Sequence, residues 1–128
     1  MSVHSFNEGG KFTQIIEVGK HRLFADQPIE EGGDDKGPQP HDYLLIALSS
    51  CSAMTVKMYA DRKQWSLKKI DVDVTMTKGD KMNTFNRSIK LEGDLDQGQK
   101  ERLLEIANRC PVHLILSGAS KIITHLVS

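Results

Sequence analysis

Apolar positions crowd one stretch of the chain. After Gly37-Pro38-Gln39-Pro40 the sequence runs to Arg62 without another Gly or Pro. Apolar side chains fill Tyr43 to Leu48 and recur at Ala53, Met54, Val56, Met58, Tyr59 and Ala60. They cover most of a helical circumference, which predicts a long helix buried on most sides. Pro38 and Pro40 suit its beginning, since proline is tolerated in a first turn but not inside a helix. Ser49, Ser50, Ser52, Thr55 and Lys57 make the second half too polar for a membrane span. No membrane association is therefore expected.

The remaining pattern has mostly a period of two. Residues 11–18 are rich in β-branched and aromatic side chains and read as a strand. Gly19-Lys20 turns the chain into a hairpin partner at 21–26, and 3–6 adds a third strand. Residues 27–39 hold Pro28, Gly32, Gly33, Gly37 and Pro38 among acids, and read as a long loop without structure of its own. Beyond the helix, Ile70, Val72, Val74 and Met76 alternate with polar residues along a strand at 67–77. A turn at Gly79-Asp80 leads to a return strand at 84–92. Asp96 is the candidate N-cap of a second helix at 99–108, with Leu103, Leu104, Ile106 and Ala107 as its apolar face. Cys110-Pro111 stops it. A short helical turn or loop follows at 112–117, and 121–127 reads as a last strand. The predicted order is βββ-α-ββ-α-β: an α+β fold of antiparallel ribbons around one buried central helix.

Composition narrows this picture. The chain has 128 residues, which fits one domain over 1–128. Seventeen basic residues balance 17 acidic ones, so no electrostatic footprint for nucleic acid is present. Only 38% of residues are hydrophobic, which is low for a core that must surround a helix. A second copy of the chain would supply the missing surface, so a homodimer is expected. The first residues lack the charged and apolar regions of a signal peptide, and a cytoplasmic location is expected.

Two cysteines are the candidate chemistry. Cys51 lies near the middle of the central helix among the small residues Ser49, Ser50, Ser52 and Ala53, and Cys110 stands at a helix end before Pro111. In a reducing compartment such cysteines are reactive, metal-bound or simply buried rather than a structural disulfide. A reactive thiol needs a nearby cation or dipole. Arg22, Arg62, Arg87 and Arg109 are the candidates, and the sequence does not rank them. Cys110-Pro111-Val112-His113 has a C-x-x-H spacing, a weak zinc signal that nothing repeats. No C-x-x-C motif and no phosphate-binding glycine loop occur, so no cofactor is expected.

The run Gly37-Pro38-x-Pro40-x-Asp42-Tyr43-Leu44-Leu45-x-Ala47-Leu48-x-x-Cys51, followed by Cys110-Pro111-Val112-His113, resembles the OsmC/Ohr family of osmotically inducible and organic hydroperoxide resistance proteins. Ala25-Asp26-Gln27-Pro28 and Gly32-Gly33 resemble its OsmC-like branch. The resemblance implies an intertwined homodimer with sites at the subunit interface. It also implies thiol-dependent reduction of organic hydroperoxides, with hydrogen peroxide as a secondary substrate. Cys51 matches the peroxidatic cysteine and Cys110 the resolving one. Arg22 is the nearest match to an arginine of the N-terminal ribbon that would hold the Cys51 thiolate. The position the family fills with glutamate falls on His41, and Asp42 is the nearest carboxylate. Nine residues of helix are about 13 Å of rise, so Asp42 would act by orienting Arg22 or across the dimer. The family mechanism carries Cys51 through a sulfenic acid to a disulfide with Cys110, which a cellular dithiol reduces. The His41/Asp42 departure also suits a different class of protein. This would be a binding or redox-sensing protein of the same fold, with little or no turnover.

Overall fold

The computed structural model describes residues 2–127. The chain forms two compact units, one ending at Leu45 and the other beginning at Ile46. The first holds an antiparallel sheet of β1 (His4–Asn7), β2 (Gln14–Val18) and β3 (His21–Ala25), in the order β1-β2-β3. β2 begins at Gln14 rather than at residue 11. The Asn7 side-chain amide donates to the carbonyls of Gly10 and Thr13, which folds the preceding residues into a turn. Gly19 has φ +58°, a left-handed value suited to its place in the tight turn between β2 and β3.

The loop at 27–39 is more ordered than its composition predicts. It carries a 3-10 turn at Ile29–Glu31 that ends on Gly32 at φ +89°. Asp26 organises it. This buried carboxylate accepts from Thr13 Oγ1 at 2.7 Å, from Gln27 N at 2.8 Å and from Lys36 N at 3.2 Å. Its own N–H donates to the Pro38 carbonyl.

Helix α1 (Pro40–Arg62) begins in the first unit and runs on in the second. It is the one helix among the described residues long and apolar enough to cross a membrane, by length and composition alone. Leu48, Ser52, Val56 and Ala60, spaced four apart, form its buried stripe. Met54 and Met58 on other faces are 63% and 68% exposed in the single chain.

The second unit continues with β4 (Ser66–Thr77) and β5 (Thr84–Asp94), an antiparallel pair with Val72 opposite Ile89 and Val74 opposite Arg87. The register slips between Leu67 and Lys69, where Gly93 takes φ +151°. A Cβ on Gly93 would lie 1.9 Å from the Ser66 carbonyl oxygen, so only glycine fits this bulge. α2 (Gln97–Ala107) starts two residues before its expected position behind a capping box. Asp96 accepts from Gln99 N, and the Gln99 side chain accepts from Asp96 N. Leu103, Ile106 and Ala107 of α2 join Val56, Ala60 and Leu67 in the core, while Leu104 is exposed. Cys110 ends the connection, and Pro111 opens α3 (Pro111–Ser117), a true short helix.

The α+β class, the antiparallel ribbons and the central helix stand, but the helix is not buried on most sides within this chain: only the Leu48, Ser52, Val56 and Ala60 stripe is buried. The strand expected at 121–127 does not form: the described residues there carry no regular structure. Ile122, Ile123, Leu126 and Val127 are strongly exposed. A strand exists only against a neighbour that takes its N–H and C=O groups, and among the described residues no strand pairs with this segment.

Asp26 makes the first unit sensitive to acid. Burial would raise its carboxyl, but the bonds from Thr13, Gln27, Lys36 and Asp34 outweigh burial and hold it below the ordinary 3.8. A lowered folded value stabilises fully above the unfolded value and is lost as pH falls through the folded one. Asp26→Asn is therefore expected to be less stable than wild type at pH 7, with the gap closing below pH 3.8. Denaturant melts at both pH values check this; a gap that widens in acid contradicts it.

Candidate functional site

The buried stripe of α1 contains one polar residue, Ser52, and a site is built around it in the second unit. Ser52 is fully buried, and its hydroxyl donates to the Leu48 carbonyl at 2.6 Å. Arg87 of β5 donates through Nη1 to the Ser52 Oγ at 3.0 Å. Cys110 Sγ lies 3.8 Å from it. The single Ser52 proton goes to Leu48, so the Cys110 S–H is the donor in this contact.

Cys110 is fully buried and free. It caps α3, its sulfur accepting from His113 N at 3.3 Å. The alternation of β5 brings Arg87 to the half-buried face of its strand. Its guanidinium also donates to the Ala107 carbonyl at 3.2 Å, to Asn108 Oδ1 at 2.8 Å and to His113 Nδ1 at 3.1 Å. Burial first, and then the Arg87 charge, hold the His113 imidazole below its ordinary 6.5, so it is neutral at pH 7. Accepting at Nδ1, it carries its proton on Nε2.

Cys51 sits beside this cluster in sequence but on another face of α1. Successive residues on a helix are turned by about 100°, so Cys51 projects away from the Ser52 stripe. It is half-buried and free, and its sulfur lies 3.9 Å from Thr55 Oγ1, one turn on. The second unit thus places Cys110 against the residue that follows Cys51. The other two expected site residues belong to the first unit. Arg22 is exposed on β3, opposite Glu17 of β2. Asp42 lies in the first turn of α1, where its carboxylate accepts from Gln39 N at 2.9 Å. That is a helix-capping contact.

Sequence reasoning gave Arg87 no more weight than three other arginines, and it missed Ser52. Both were marked by pattern. Arg87 occupies an inward position of an alternating strand, and Ser52 falls four residues from Leu48 and Val56. His113 entered through a metal-ligand spacing and as part of the family motif, with no role of its own, whereas here its Nδ1 faces a guanidinium.

A family model described as OsmC-like protein matches residues 33–125. The chain belongs to the OsmC-like family. Among solved structures, an OsmC-like protein from Mycoplasma pneumoniae is 19% identical over 91% of this chain and 86% of that one, with a TM-score of 0.76. An organic hydroperoxide resistance protein, OsmC, from Legionella pneumophila is 18% identical over 92% of this chain and 90% of that one, at 0.64. The organic hydroperoxide resistance protein OhrB of Bacillus subtilis is 17% identical over 91% and 90%, at 0.61. At these identities the likeness is one of fold. No curated protein matches the sequence.

The two thiols differ in access, and that difference is measurable. Iodoacetamide at pH 8 is expected to label Cys51 about tenfold or more faster than Cys110, which reacts only when α3 opens. Peptide mapping by mass checks this; equal rates would place Cys110 outside the packed site described.

Proposed function

We propose that this chain is a thiol-dependent peroxidase for organic hydroperoxides, acting in defence against oxidative stress. The observation that supports it is a half-buried free thiol on the central helix of an OsmC-family chain. A second free thiol, Cys110, is packed against Ser52, the next residue of that helix. Structural relatives named for organic hydroperoxide resistance point the same way.

In this reading the Cys51 thiolate attacks the distal peroxide oxygen. The O–O bond breaks, an alcohol leaves with a proton, and Cys51 becomes a sulfenic acid. The Cys110 thiol then attacks that sulfur, expels water and forms the Cys51–Cys110 disulfide. A cellular dithiol reduces the disulfide by exchange and is itself oxidised. Arg22 holds the thiolate and the peroxide, and Asp42 orients Arg22. The acting form is a cytoplasmic homodimer of one OsmC-like domain per chain. A second copy covers Met54 and Met58 and gives the apolar tail at 121–127 a strand to pair with.

Stopped-flow measurement of the first turnover with cumene hydroperoxide tests the chemistry. Cys51→Ser is expected to abolish it. Cys110→Ser should leave the first turnover intact and let Cys51 proceed to sulfinic acid under excess peroxide. Arg22→Met should slow it about tenfold or more, roughly 1.4 kcal/mol of barrier, and Asp42→Asn less. A wild-type rate equal to that of free cysteine at the same pH refutes the peroxidase reading and leaves a binding or sensing protein of this fold.

Assembly is tested separately. Sedimentation at micromolar concentration should show a dimer whose interface exceeds about 2,000 Å². A stable folded monomer there would contradict the assembly.

A further inference from the structure

Among the described residues the Arg87 guanidinium has four hydrogen bonds and no counter-ion. All four acceptors are neutral: a serine hydroxyl, a backbone carbonyl, an asparagine amide and a neutral imidazole. Among the described residues no carboxylate lies within ion-pair distance of it. A half-buried charge is costly unless it is paired, and these partners fix its plane without cancelling it.

The bonds occupy both terminal nitrogens and leave Nε–H without a protein partner. The same holds for Nε2–H of His113. Among the described residues no buried side-chain nitrogen or oxygen lacks a hydrogen-bond partner, so both donors are reached from outside. Both residues line one cavity of about 350 Å³, whose other walls include Leu48, Met82, Phe85 and Leu116. Asn83, Thr84 and Ser117 complete the lining, so the cavity has the size of a small-molecule site and combines an apolar wall with polar groups.

We propose that this cavity binds a small monocarboxylate with an apolar tail. The carboxylate would take the Nε–H of Arg87 and the Nε2–H of His113, and supply the charge that Arg87 lacks. With the four Nη hydrogens already engaged, Arg87 offers one charge-assisted bond through Nε–H and His113 offers the second, and the tail replaces water against Phe85 and Leu116. The site uses neither thiol, so it stands or falls apart from peroxide chemistry.

Calorimetric titration of the wild-type protein with octanoate and with octan-1-ol tests it. These probes share a tail and differ in charge. Octanoate is expected to bind about tenfold or more tightly than the alcohol. Arg87→Gln, which removes the charge, should erase that preference. Because Arg87 also ties several elements together, Leu116→Trp serves as a second variant: it fills the cavity, touches none of the Arg87 bonds and should lose octanoate. Equal binding of acid and alcohol, no heat from millimolar octanoate, or octanoate binding that survives Leu116→Trp each overturns the proposal.

Discussion

One guanidinium holds the second unit in register. From β5, Arg87 reaches Ser52 on α1, the last carbonyl of α2 at Ala107, Asn108 in the connection, and His113 on α3. Helix α1 and the 107–113 stretch that joins α2 to α3, distant in sequence from each other and from β5, therefore share one donor group. The apolar core of Val56, Ala60, Leu67, Leu103, Ile106 and Ala107 is non-directional and would tolerate small shifts of α2 against α1. Hydrogen bonds to a planar, forked donor are not so tolerant. They set where the α2–α3 connection lies, and with it where Cys110 lies.

This explains what was legible in the sequence. Elements written in periodicity were readable: alternation gave β4 and β5, and the Pro-bounded apolar run gave α1. Asp96 as a candidate N-cap gave the start of α2 to within two residues. Features made by contacts between distant residues were not readable. The alternation of β5 marks Arg87 as inward-facing, but nothing local says which groups it meets there, and nothing local says that Ser52 faces a thiol. The loop at 27–39 looked formless because its order comes from Asp26, whose partners Thr13 and Lys36 lie on either side of it in sequence. The tail at 121–127 failed for the opposite reason. Its alternation is that of a strand, but strand propensity expresses the fit of a side chain to a sheet already present.

The two carboxylates expected or found near functional positions show how little residue type decides. Asp42 and Asp26 are both acids bonded to backbone N–H groups. Asp42 bonds the N–H of Gln39 in the first turn of α1 and holds the entry to the helix. Asp26 is buried and gathers several donors, so it holds a whole loop. A role for Asp42 in orienting Arg22 must coexist with its capping bond. A carboxylate has about four acceptor sites on two oxygens, so the cap leaves capacity for a guanidinium.

The geometry around Cys110 bears on how a second thiol could act. Bonding to Cys51 requires its sulfur to leave Ser52 and the His113 N–H. Both are sulfur contacts, at 3.8 Å and 3.3 Å, and sulfur is a weak donor and a weak acceptor. What resists the movement is the position of α3, a seven-residue helix with no buried residue of its own, held through the His113–Arg87 bond. A helix that short gains little from its own hydrogen bonds. Cys110 is thus kept in place by two weak sulfur contacts and by the hold of Arg87 on His113.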